Sequence, residues 1–180
     1  FTAFLYQKYA HIYYEIGREA YEQGIADEAS EIGREYQRDL KDLKDLFNRG
    51  GFSTGYYYRH NGPEMMSEER QNHYGTCVGT VSDCFFGKKK QGITLTFSEN
   101  IRKDDILEIR NQKEESFLVI NGSKNSASGE TCTLSPFGAK PEDYETIQRA
   151  LKKEELYVFR LRNHELFSRI DTDFLREAEF

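Results

Sequence analysis

Beyond Tyr74 the chain breaks into six short runs rich in β-branched and aromatic residues, at 76–86, 93–97, 106–110, 117–120, 130–134 and 156–161, each bounded by turn residues. Runs of this length and composition read as strands rather than helices. Six of them suit a small antiparallel β-barrel. Residues 88–92 supply a hairpin connection and 123–129 a Ser/Asn/Gly-rich loop, while Pro141 opens a short helix that runs to Ala150. Residues 163–180 read as a short helix followed by a charged tail.

Ahead of the strands the period is helical. Phe1, Leu5, Tyr9, Ile12, Tyr13, Ile16, Ala20 and Tyr21 recur on one helical face, with Gly24 as the C-cap. Phe4, Tyr6 and Tyr14 widen the apolar surface past one stripe, which predicts that this helix packs against an upstream domain. Residues 26–35 read as a polar linker, and Tyr36, Leu40, Leu43 and Phe47 define a second short helix stopped by Gly50 and Gly51. From 52 to 74 the pattern loses its period, as in an ordered loop. The expected organisation is a helical segment with its loop over 1–74, a β-barrel over 75–170 and a tail over 171–180. The fold class is mainly β with a helical N-terminal segment, α+β.

A chain of 180 residues accommodates one core with a helical appendage. Its hydrophobic fraction of 37% is low, but 13 Phe and 12 Tyr supply the large apolar surfaces a core requires. No apolar run approaches the length of about 20 residues needed to cross a bilayer. The net charge of −6 opposes unassisted binding to nucleic acid. Lys88, Lys89, Lys90, Arg102, Lys103, Lys152, Lys153, Arg160 and Arg162 read as solvated hairpin tips and strand edges.

The reactive side chains form no familiar constellation. Cys77, Cys84 and Cys132 contain no C-x-x-C pair and read as buried free thiols of a reducing cytoplasm. His11, His60, His73 and His164 are dispersed without metal-ligand spacing. His73 lies four residues from Cys77, as a surface histidine beside a buried thiol. His164 with Glu165 reads as a solvated helix-start pair. Asp104 and Asp105 read as turn-capping carboxylates that lead into a strand whose Ile106, Leu107 and Ile109 face the barrel.

Three elements occur in order around the loop: Asn48-Arg49-Gly50-Gly51-Phe52-Ser53-Thr54-Gly55-Tyr56, then Met65-Met66-Ser67, then Asn72, Gly75 and Gly79 in an N-x-x-G-x-x-x-G run. Together they resemble the signature of the collagenase-like peptidase family U thirty-two. The turn DDILEI at 104–109 resembles the turn entering a strand in barrels like domain 2 of elongation factor Tu, with Asp104 where glycine is usual. The run LYVFRLRNHELF at 156–167 resembles the end of the family's barrel.

The resemblance implies the C-terminal part of a cytoplasmic bacterial enzyme, without its catalytic core. Such a part would be inactive alone and would position or recognise substrate for its partner, the upstream catalytic domain. Some family members hold an iron–sulfur cluster upstream, whereas this part implies no cofactor and no metal of its own. Arg49, Ser53, Thr54, Tyr56, Met65, Met66 and Ser67 become the candidates for substrate or interdomain contact. The substrate implied is protein or RNA. In the RNA reading the chain is a binding module of an RNA-hydroxylating or RNA-modifying enzyme, and Tyr56-Tyr57-Tyr58-Arg59 sets stacking rings beside a cation.

Overall fold

The six runs pair into one sheet. The computed structural model describes residues 2–47, 74–87 and 90–178. They fall into two units, Tyr74–Glu165 and Phe1–His73 with Leu166–Phe180. In the first, β1 (Thr76–Phe86), β2 (Gln91–Phe97), β3 (Ile106–Arg110), β4 (Ser116–Asn121), β5 (Thr131–Leu134) and β6 (Tyr157–Arg162) form a sheet in the order β4-β3-β6-β1-β2-β5. Every neighbouring pair is antiparallel. The sheet curls into a half-barrel with β4 and β5 as its edges.

The curl has a local cause in β1. Its pairing shifts between Cys77 and Gly79 against β6, and between Val81 and Asp83 against β2. Each irregularity bends the strand and strengthens its twist. The second shift also lets Val81 and Cys84, an odd three residues apart, both enter the core. The core is formed by Val78, Ile93, Leu95, Leu107, Ile109 and Val158, all fully buried. Residues of β1, β2 and β5 form a hydroxyl ladder on the other face. Ser82 meets Thr96 at 2.6 Å, Thr96 meets Thr131 at 3.1 Å, and Thr94 meets Thr133 at 3.0 Å.

Helix α4 (Pro141–Leu151) completes this core with Tyr144, Ile147 and Ala150, the buried face of its period. It starts where the sequence predicts, because Pro141 occupies the first turn and the Asp143 carboxylate accepts the Lys140 N–H at 2.7 Å. Two glycines of the N-x-x-G-x-x-x-G run have steric reasons. Gly75 has φ +74°, and a Cβ there would lie 2.7 Å from the Arg160 carbonyl oxygen. A Cβ on Gly79 would lie 2.3 Å from the Thr96 carbonyl oxygen.

The carboxylates before β3 divide their roles. Asp105 is fully buried and caps, as expected: Oδ2 accepts the Arg102 N–H at 3.0 Å and Oδ1 the His164 N–H at 2.8 Å. Asp104 holds φ +71°, a left-handed conformation that strains an L side chain. Asp104→Gly is therefore expected to stabilise the sheet unit by about 1 kcal/mol. Calorimetry should show a melting point higher by roughly 4 °C or more; an unchanged or lower value contradicts this account of the turn.

The helical unit departs from the sequence reading in its joints. In place of one helix from 1 to 24 there are α1 (Thr2–Ile16) and α2 (Arg18–Ala26), separated at Gly17 with φ +81°. Gly24 lies within α2, not at its end. The expected linker over 26–35 instead contains the start of α3 (Glu31–Leu46), because the Ser30 hydroxyl accepts the Gly33 N–H at 2.9 Å and caps the helix. The tail region belongs to α5 (His164–Ala178). Its residues Leu166 and Ile170 join Leu5 and Leu46 in a small core, and Phe174 meets Phe4 edge-on at 5.5 Å.

Candidate functional site

The helical unit contains a groove of about 260 Å³ lined by Tyr6, Tyr9 and Ala10 of α1, Tyr21 of α2, and Tyr36, Asp39, Leu40 and Leu43 of α3. Helical spacing makes it. Tyr6, Tyr9 and Ala10 lie three and four residues apart, as do Tyr36, Asp39, Leu40 and Leu43, so each set shares one helix face. The Tyr21 and Tyr36 rings meet edge-on at 6.4 Å, and Tyr6 is 64% exposed at the mouth.

Three carboxylates near the groove differ in their company. Asp42 is committed: it accepts the Tyr9 hydroxyl at 2.6 Å and the Arg169 guanidinium. Arg169 also donates to the Tyr9 oxygen at 3.3 Å. Asp173 is held by Lys8, which keeps its carboxyl below the usual range. Asp39 faces the Arg38 Nε at 3.9 Å. Burial, with Glu35 and Asp42 adding to it against Arg38 and Arg169, pushes the Asp39 carboxyl up to about 6. Burial and Asp42 push the Tyr9 phenol well above its ordinary value, and burial raises Tyr21 as well. At neutral pH the Tyr9 and Tyr21 phenols therefore stay protonated beside the partly buried Asp39 carboxylate.

The sequence-predicted contact residues Arg49, Ser53, Thr54, Tyr56, Met65, Met66 and Ser67 lie outside the described residues, as do His60, His73 and Tyr57-Tyr58-Arg59. Cys77 is exposed rather than buried, at the irregularity where β1 leaves register with β6. Cys84 and Cys132 are buried, and burial followed by Asp83 pushes the Cys84 thiol up to about 11. Brief alkylation of the folded chain is therefore expected to modify Cys77 first and to spare Cys84 and Cys132 until denaturant is added. Mass spectrometry of the digest checks this; early modification of Cys84 contradicts it.

Arg160 is not a solvated edge cation. It is buried, donating to the Asn100 carbonyl and to Glu99, each at 3.0 Å, with Asp105 4.0 Å away. Glu165 is not merely a solvated partner of His164, since Arg102 binds it at 2.6 Å. Both side chains of that pair are about half exposed or more, so it adds little stability, about 0–1 kcal/mol. Ile106 is only half-buried, whereas Leu107 and Ile109 enter the core. The opposite face of β3 carries Glu108 and Arg110, a buried ion pair that the sequence reading missed. Its available signal was the placement of two opposite charges two residues apart on one strand face.

Among the described residues no group of three or more His, Cys, Asp or Glu is placed to hold a metal ion. Among them, too, no helix is long and apolar enough to cross a membrane. Comparison with protein-family models, with curated proteins and with solved structures finds no match for the chain.

Proposed function

We propose that the chain is a binding module, the C-terminal accessory part of an enzyme resembling the collagenase-like peptidases of family U thirty-two, presenting a protein substrate to a catalytic domain carried elsewhere. The observation that carries this reading is the groove of four tyrosines around Asp39. Tyrosine offers a broad, rigid contact surface with a polar tip at low entropic cost, which is why it is enriched in protein-binding surfaces. The family assignment rests on the three ordered elements between Asn48 and Gly79. The likeness to domain 2 of elongation factor Tu draws support from the six antiparallel strands and from the left-handed conformation of Asp104, at the place where such barrels carry glycine.

Binding without turnover is the test. The purified chain is expected to bind casein or gelatin in a pull-down and by titration calorimetry, and to leave both uncleaved. Tyr6→Ala, the variant least costly to the fold because Tyr6 is the exposed wall, should weaken binding by roughly 10-fold. Hydrolysis that survives repurification, or absence of binding to either protein, overturns the reading. A gel shift with transfer RNA that steepens at low salt would move the assignment to the RNA-binding alternative.

A further inference from the structure

We infer that the tyrosine groove is a receptor for an ammonium head group, with Asp39 as its counter-ion and the surrounding phenol rings as its walls. The inference rests on the reading of this groove as the binding surface and names the chemistry it would take.

The carboxylates of the helical unit contrast in how closely they are paired. Asp42 is engaged by a phenol and a guanidinium, and Asp173 by an ammonium. Asp39 shares their helical unit, yet its contact with Arg38 is long, at 3.9 Å, and Arg38 donates instead to Glu35 at 3.1 Å. A partly desolvated anion with a distant counter-ion gains more from an incoming cation than a paired one does.

The walls of the groove suit the same ligand. Aromatic faces attract a cation through their quadrupole, and several rings around one site recognise ammonium groups. Tyr6, Tyr9, Tyr21 and Tyr36 supply the rings, and the raised phenols of Tyr9 and Tyr21 add no charge to the site at neutral pH. The size of the groove points the same way. At about 260 Å³ the groove falls just below the span of roughly 300–1,000 Å³ typical of drug-sized ligands, and so suits a compact head group. An ammonium needs only one carboxylate oxygen, and even the Asp39 oxygen nearer Arg38 lies 3.9 Å from it.

Acidity supplies a signature. The charged groups around Asp39 are Glu35, Arg38 and Asp42 of its own helix and Arg169 of α5, with the phenols of Tyr9 from α1 and Tyr21 from α2. Cation binding requires the ionised carboxylate. Affinity therefore falls as the pH is lowered through about 6, where Asp39 takes up its proton.

The experiment is calorimetric and NMR titration of the whole chain at constant ionic strength with choline, with its neutral isostere 3,3-dimethyl-1-butanol, and with N-acetyl-lysine amide. Choline is expected to saturate one site, with the isostere at least about 10-fold weaker. Asp39→Asn is expected to lose at least about 10-fold in choline affinity while its circular dichroism and melting point at pH 8 do not fall, because burial favours a neutral side chain there. Saturation by N-acetyl-lysine amide assigns the head group to a polypeptide side chain, and saturation by choline alone assigns it to a free quaternary amine. Equal affinity for the isostere, or unchanged affinity in Asp39→Asn, overturns the inference. Absence of cation binding together with intact, Tyr6-dependent casein binding overturns it as well but leaves the proposed module standing. Loss of both sinks both.

Discussion

Replacing Arg110 with alanine is expected to destabilise the sheet unit by about 3–5 kcal/mol. Arg110 is wholly buried in β3 and donates through Nε to Glu108 Oε2 at 2.6 Å, through a second nitrogen to the same oxygen, and to the Tyr74 carbonyl at 2.7 Å. Its guanidinium lies 4.5 Å from the centre of the Phe159 ring and 5.6 Å from that of Tyr74. Alanine would leave Glu108, only 3% exposed, without this guanidinium and would open the space between the two rings. The loss is large against a domain stability of about 5–15 kcal/mol. The double variant Glu108→Leu with Arg110→Met is expected to recover most of it, because an apolar pair avoids the desolvation that the ion pair must overcome. Urea denaturation of the three proteins decides: a single-variant loss below about 1 kcal/mol, the range of exposed pairs, contradicts the role given to this pair.

Gly79→Ala is expected to cost about 3 kcal/mol or more, although it adds one methyl group. The new Cβ would stand 2.3 Å from the Thr96 carbonyl oxygen and 3.1 Å from the Phe97 Cα. Both are backbone atoms of β2, paired with this stretch of β1, so no side chain can swing aside. The two strands must separate where Val81, Leu95 and Phe97 fill the core. Calorimetry should show a melting point lower by roughly 10 °C or more. Gly129→Ala is the control: φ is +84° there but nothing lies within 4 Å, so only backbone strain of about 1–2 kcal/mol is expected. Equal effects of the two substitutions contradict the close approach of β1 to β2.

The strands were legible because their β-branched and aromatic runs are short and bounded by turn residues. Ile93-Thr94-Leu95-Thr96-Phe97 announces one buried and one hydroxyl-bearing face, and β1 and β3 begin and end where composition changes. Their order in the sheet was not legible. Insertion of β6 between β3 and β1 is a pairing between residues far apart in sequence, and a period-two pattern records only which face is buried, not which strand lies alongside. The break at Gly17 was hidden because apolar spacing continues across it from Ile16 to Ala20. Helix α3 was cut short in the reading because Ser30 acts through a hydroxyl-to-amide bond that polar composition does not distinguish from a linker. Arg160 reads as a solvated edge cation by its charge, and the Glu108–Arg110 pair drew no reading at all; only tertiary pairing buries them.

The groove was half legible. Tyr6, Tyr9 and Tyr21 registered as an apolar surface wider than one helix stripe, with cover expected from upstream polypeptide. In the structure Tyr9 is partly covered within the helical unit, by Asp42 and Arg169. Asp39 stands three residues after Tyr36 and one before Leu40, a charge on the face that otherwise reads as core. That position was the signal, since carboxylates seldom occupy such a face without a partner or a task.

The most direct test of the account of the groove as an ammonium receptor is a carbon–proton NMR titration that follows all tyrosine ring signals as choline is added at pH 7.5. The account predicts that the rings of Tyr6, Tyr9, Tyr21 and Tyr36 shift together along one saturating curve, while Tyr74, Tyr144 and Tyr157 of the sheet unit stay in place. Shifts shared by the sheet-unit tyrosines, or a linear drift without saturation, would contradict it.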